Sequence, residues 1–202
     1  DKEFAHLMEN LLRLQEAFEI PLILKETGCG MAREQIQELH GLGFTCFNVA
    51  GLGGTSFTAI EAERSRVPRH KKFADWGIPT AWSVVEAVQE LNPQDTLIAS
   101  GGIRNGWQAA QCLALGADAV SLSGVVLAKV LEQGEKIAAD YLREILDDIR
   151  DIMVLTGSRS VKELQQIPLV FTGELLDFMR SRGYSTTQKR RKTQRTAGFH
   201  TV

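Results

Sequence analysis

Lys25 stands at the end of the apolar run Ile20-Pro21-Leu22-Ile23-Leu24, followed by Glu26, Gly28 and Gly30. An ammonium at the end of a buried strand points into the mouth of a sheet, where it can stabilise negative charge on a bound group. The plainer alternative is a strand-end residue reaching for water. Gly51-Leu52-Gly53-Gly54-Thr55-Ser56 follows a second apolar run. Glycines let backbone approach a ligand, and the two hydroxyls add hydrogen-bond partners. The spacing departs from G-x-G-x-x-G and argues against a dinucleotide fingerprint. Ser100-Gly101-Gly102-Ile103-Arg104 and Ser123-Gly124 follow a third and a fourth run. In barrels a phosphate often sits between the last two strand-end turns, at a helix N-terminus. Backbone N–H groups from both turns would converge on it, with Arg104 as counter-charge. Two tight turns alone would also explain the glycines, but their presence in consecutive units favours phosphate binding.

Other chemistry is poorly represented. His6, His40, His70 and His200 have no ligand spacing and none ends a strand, so they read as solvated or helix-face residues. Trp76, Trp82 and Trp107 read as packing residues. Cys29, Cys46 and Cys112 are odd in number and lack metal-type spacing. They read as small, buried or half-buried apolar residues in a reducing cytoplasm. No Cys/His, Ser/His/Asp or paired-carboxylate constellation stands out.

The elements that must position these residues alternate. Helical spacing runs through Leu7, Leu11, Leu14 and Phe18, predicting a helix over 5–19. Ile20–Leu24 then predicts a strand buried on both faces. A helix marked by Met31, Ile36, Leu39 and Leu42 follows, then a strand over 44–50 and a long loop over 51–76 with a short helix near Ile60-Glu61. A helix over 83–91, a strand over 96–100 and a helix over 105–115 come next. A strand over 117–122, a helix behind Ser123-Gly124, and helices over 138–155 and 173–182 complete the series. Alternation of this kind means an α/β fold with a parallel sheet and all strand-end turns at one edge. Four strand–helix units are half of the eight in a TIM (β/α)8 barrel, which typically has about 250 residues. The chain therefore reads as an open sheet or as the second half of a barrel.

The 202 residues suffice for one domain, and the net charge of -2 gives no argument for nucleic acid or membrane partners. No apolar stretch approaches the roughly 20 residues that span a bilayer. Asp1-Lys2-Glu3-Phe4 carries no signal-peptide character. Residues 1–184 read as the domain, and 185–202, with Lys189-Arg190-Arg191-Lys192 and Arg195, as a basic, disordered tail.

Several motifs, in order, resemble the type 2, flavin-dependent isopentenyl-diphosphate isomerases. They are Lys25-Glu26-Thr27-Gly28-Cys29-Gly30, Ala50 to Phe57, Ile60-Glu61, Trp76-Gly77-Ile78-Pro79-Thr80, Ala99 to Gly106, and Ala114 to Asp118. Met153, Leu155, Thr156 and Gly157 match that family's late helix, and the likeness covers residues 1 to 184. The resemblance implies the C-terminal half of an FMN-dependent TIM barrel, strands five to eight plus C-terminal helices. The implied reaction interconverts isopentenyl and dimethylallyl diphosphate in isoprenoid biosynthesis, with FMN kept reduced by NADPH and with magnesium on the diphosphate. It names no catalytic side chain, because the reduced flavin acts as acid and base. It implies FMN contacts for Lys25 at the ring, for Thr55, and for Gly101, Gly102, Ile103, Arg104, Ser123 and Gly124 at the phosphate. It also implies a cytoplasmic protein, homo-oligomeric in its full-length form.

Ala50, Asn48 and Leu52 depart from that pattern, where serine, aspartate and arginine are frequent. The family's magnesium-binding Gln-Glu pair falls before Asp1, so no metal ligand is expected in this chain, nor useful turnover from it alone. Two other readings compete. One is another FMN barrel, such as a 2-hydroxy-acid oxidase, which would want a strand-end histidine that Ala50 to Thr55 lacks. The other is a non-catalytic, truncated half-barrel.

Overall fold

A computed structural model describes residues 5–65 and 72–186. The helix α1 (Leu7–Ala17) leads to β1 (Leu24–Lys25), α2 (Arg33–Gly41) and β2 (Cys46–Asn48). The excursion after β2 contains α3 (Phe57–Arg64) and ends at α4 (Thr80–Glu90). Next come β3 (Thr96–Ser100), α5 (Gly106–Ala114), β4 (Ala119–Ser121) and α6 (Gly124–Gln133). The described residues finish with α7 (Glu135–Leu155), α8 (Val161–Leu164) and α9 (Gly173–Ser181). His70, His200 and the basic run from Lys189 lie outside the described residues.

The four strands are parallel and lie in the order β1-β2-β3-β4. Strand alternation sorts their side chains. Phe47 and Leu97 face each other in register and are fully buried with Val49 and Ala99. Ile36, Val84, Ala87, Ala109 and Cys112 pack on them from α2, α4 and α5. In-register partners Lys25 and Asn48, and Ser100 and Ser121, lie on the opposite face. Helices on one side of a four-stranded parallel sheet are the arrangement of half a closed α/β barrel.

Two expectations need correction. Ile20–Leu24 is not a strand buried on both faces: β1 has only two residues, and Ile20 and Ile23 are 68% and 54% exposed. Pro21 donates no ladder hydrogen bond, and β1 is the sheet's edge, with β2 on one side alone. Trp76 and Trp107 are not packing residues, being 66% and 61% exposed, whereas Trp82 stacks on Phe178 with centroids 4.5 Å apart. The helix near Ile60 is longer than expected, because the Ser56 side chain accepts the Ala59 N–H and caps α3.

The segment after α9 is fastened to the helical layer through Glu86, which is 2% exposed. Glu86 Oε2 accepts from Arg33 N–H and from Tyr184 Oη, each at 2.8 Å. Arg182 bonds the same carboxylate at 2.9 Å and reaches Glu34 at 2.7 Å. Removing one member of a buried charged cluster strands the others. Glu86→Ala is expected to destabilise the fold by about 3 kcal/mol, read as a shift of the urea midpoint.

Burial pushes the Cys112 thiol up to about 11 from its usual 9.0. The folded thiol therefore stays neutral where the unfolded one has ionised. Stability from this residue is complete below pH 9.0 and fades as the pH approaches about 11. Cys112→Ala should lose less stability across that window than the parent, in denaturation curves taken at successive pH values.

Candidate functional site

The turns after the four strands meet around a cavity of about 400 Å3 at one edge of the sheet. Lys25, Thr55, Gly101 to Arg104 and Ser123-Gly124 all line it, so all eight positions singled out in the sequence meet at one place. Lys25 and Arg104 line it, and no carboxylate does. The site is therefore electropositive and suits an anionic ligand.

Each wall is held by its own local chemistry. Lys25 Nζ donates to Glu26 O at 2.8 Å. Glu26 Oε2 accepts from Gly28 N–H and Cys29 N–H, each at 2.6 Å, which closes the turn after β1. That turn lies against Thr55: a Cβ on Gly28 would sit 2.3 Å from Thr55 O. Thr55 Oγ1 in turn lies 3.7 Å from where a Cβ on Gly124 would stand.

The turns after β2 and β3 touch backbone to backbone. Gly102 has φ 72°, and a Cβ there would come 2.3 Å from Gly53 O. A Cβ on Gly101 would come 2.0 Å from Gly51 O. Arg104 spans the same seam, donating to Gly53 O at 3.1 Å and Gly102 O at 3.3 Å. Its own carbonyl accepts from Tyr141 Oη on α7. Ile103 points away from the cavity's rim into the core, so what it offers a ligand is backbone.

Below these turns lies a polar layer that the motif reading did not single out. Thr80 Oγ1 donates to Ser100 O at 3.1 Å and Gly101 O at 2.6 Å. Ser100 Oγ donates to Asn48 Oδ1 at 2.6 Å. Polar residues at the ends of apolar strands were the available signal, since a buried polar group needs partners.

The two helices beside the glycine turns differ as anion sites. The first turn of α5 is partly satisfied: Asn105 Oδ1 accepts Gln108 N–H and Asp148 accepts Gly106 N–H, while Gln108 Oε1 accepts Arg104 N–H just before it. Ser123 at the start of α6 makes no side-chain cap, and the N–H groups of Gly124 and Val125 donate to no described residue. The same holds for Gly102 and Ile103 N–H. Among the donors lining the cavity are thus one glycine turn and the N-terminus of α6, with its partial positive charge. Among the described residues no group of three or more His, Cys, Asp or Glu could hold a metal, and no helix is long and apolar enough to cross a membrane.

Residues 4–170 match the model of a family described as FMN-dependent dehydrogenase. An isopentenyl-diphosphate delta-isomerase of Geobacillus sp. (strain WCH70) is 37% identical over 187 residues, 92% of this chain and 53% of the relative. One from Metallosphaera sedula is 39% identical over 182 residues, 87% of this chain and 49% of the relative. The chain thus spans about half the length of the curated relatives it matches. Among solved structures, a mandelate oxidase superposes with a TM-score of 0.61 at 20% identity, covering 78% of this chain and 40% of that one. An active chimera of (S)-mandelate dehydrogenase superposes with a TM-score of 0.59 at 18% identity, covering 79% and 39%. At these identities the structural likeness concerns the fold alone.

Gly102→Ala should disturb the donor turn directly, because its Cβ meets backbone rather than a movable side chain. Losing even one hydrogen bond to a charged group removes about 1.5 kcal/mol, so inorganic phosphate should bind at least about tenfold more weakly. Titration calorimetry with phosphate checks this; equal affinity in the variant would remove the turn from the anion site.

Proposed function

The chain belongs to the FMN-dependent dehydrogenase family, and we propose that it forms part of an enzyme interconverting isopentenyl diphosphate and dimethylallyl diphosphate on reduced FMN. The observation that carries the reading is the identity of 37% and 39%, over about nine-tenths of this chain, to relatives named for that isomerisation. The cavity's chemistry supports it. FMN joins an anionic phosphate to a ring that becomes anionic on reduction, and two cations, Lys25 and Arg104, line the cavity. A Cβ at Gly101 or Gly102 would collide with neighbouring backbone, so glycine is what lets these cradle turns come together.

In this reading Gly102 and Ile103 N–H, with Gly124 and Val125 N–H at the start of α6, hold the FMN phosphate. Gly101 allows the close approach, the Ser123 hydroxyl is free to turn toward the phosphate, and Arg104 adds positive charge at the rim. Thr55, whose hydroxyl lies beside Gly124, gives a further hydrogen bond. Lys25 lies at the ring, where its ammonium stabilises negative charge. When bound, reduced FMN supplies the acid and base for moving a proton without net redox change. The protein's task is then to hold substrate and cofactor in register and to exclude water. NADPH as reductant, Mg2+ on the substrate's diphosphate, a cytoplasmic setting and a homo-oligomeric full-length protein belong to the same proposal.

A 2-hydroxy-acid oxidation would need a base at the strand end to take the substrate's proton. The turn after β2 carries Leu52 between Gly51 and Gly53 and has no histidine. The isomerase reading is therefore favoured.

In the full-length protein Lys25→Ala is expected to weaken retention of reduced FMN and nearly abolish isomerisation. The assay supplies FMN, NADPH, Mg2+ and isopentenyl diphosphate anaerobically and follows dimethylallyl diphosphate; a variant with normal flavin retention and turnover would take Lys25 out of the site. The same assay on the 202-residue chain alone is expected to give no useful conversion, with turnover appearing when the remaining half of a relative's length is added in trans. Robust turnover by the chain alone would overthrow that dependence.

A further inference from the structure

β2 leaves the sheet through a conformation its residue type resists. Ala50 is buried and has φ 36°, in the left-handed region that a Cβ disfavours. An alanine side chain can do nothing to hold that geometry, so its neighbours must. Two hydrogen bonds do so: Ala50 N–H donates to Asn48 Oδ1 at 3.3 Å, and Ala50 O accepts from Gly30 N–H at 3.1 Å. Asn48 Oδ1 also accepts from Ser100 Oγ at 2.6 Å. A backbone N–H can only donate, so the atom of Asn48 that meets Ala50 is the amide oxygen, and the orientation of the carboxamide follows. Asn48 is 6% exposed and lies on the same sheet face as Lys25, its partner in register.

Asn48 does not itself border the cavity; Ala50, Gly51, Ser100 and Gly101 do. Gly51 N–H donates to Ser100 O at 2.8 Å, and the backbones of Gly51 and Gly101 leave no room for a methyl group between them. A displacement at Ala50 therefore passes directly into the Gly101-Gly102 turn. We propose that Asn48 is a positioning residue of this cavity: one carboxamide oxygen braces Ala50 in its left-handed conformation and orients Ser100, and so sets the walls that receive the ligand. The proposal rests on the flavin reading above for the identity of that ligand, while the brace itself stands on the geometry.

The test exploits the fact that glycine adopts a positive φ without help. FMN affinity of the whole chain is measured by quenching of flavin fluorescence for the parent, Asn48→Ala, Asn48→Leu, Ala50→Gly and the double variant Asn48→Ala/Ala50→Gly. Losing the acceptor while leaving its two donors unmet is expected to weaken FMN about tenfold. Asn48→Leu should be as weak as Asn48→Ala, because it restores volume and not the acceptor. In the Ala50→Gly background, Asn48→Ala should cost no more than about threefold, since the brace has less to hold. Parent-like binding by Asn48→Leu, or an equal loss in both backgrounds, would overturn the proposal. If the parent chain takes up no FMN, the flavin reading is tested on the full-length protein, where no uptake would sink it, and the brace is read from heat denaturation instead. Asn48→Ala should then lower Tm at least about 2 °C more in the Ala50 background than in the Ala50→Gly background. Equal shifts there would overturn it.

Discussion

The contact on which the site depends is backbone against backbone. The turns leaving β2 and β3 approach so closely that a single methyl group on Gly101 would overlap the carbonyl oxygen of Gly51. Because no side chain separates them, the two turns move as one body. The Gly102 and Ile103 N–H groups donate to no described residue, and the hydroxyl of Thr80 takes up two carbonyls beneath. The third wall joins by the same device, with Gly28 against Thr55. A site built of peptide groups presents fixed dipoles that need little reorganisation when a charged ligand arrives.

The sheet gives that site its orientation. All four strands run the same way, so all four turns emerge at one edge, and the helices lie on one side of the sheet. Large apolar residues of β2 and β3 face those helices, which leaves Lys25, Asn48, Ser100 and Ser121 on the opposite face. One pleat thus carries both the packing energy and the functional polarity, on alternate residues.

Much of this was legible in the residues. An apolar run closed by glycine marks a strand and its exit turn, and four such pairs in series imply a shared edge. The extent of β1 was not legible, because Ile20 and Ile23 are as apolar as a central strand and only the sheet order reveals that they lie at its border. The polar layer of Asn48, Ser100 and Thr80 was missed because its members lie up to 52 residues apart and meet only once the register is known. The choice of helix for the anion was half legible. Asn105 followed three residues later by Gln108 has the spacing of a capping box, and that pairing occupies N–H groups at the start of α5, while Gly124 and Val125 of α6 have no such partner.

The fastening of Glu86 bears on how the protein is made. Tyr184 hydroxyl and Glu86 carboxylate are 98 residues apart along the chain. At ribosomal rates of about 5 to 20 residues per second, the carboxylate waits roughly 5 to 20 seconds before Arg182 and Tyr184 have been synthesised. During that interval α4 carries an acidic group at a position the finished fold seals from water, and the sheet beneath it has no reason to close there. The last described stretch of the chain therefore supplies the contacts that complete this layer. A nascent chain stalled before Arg182 would present Glu86 to solvent, distinguishable from finished protein by that one open seam.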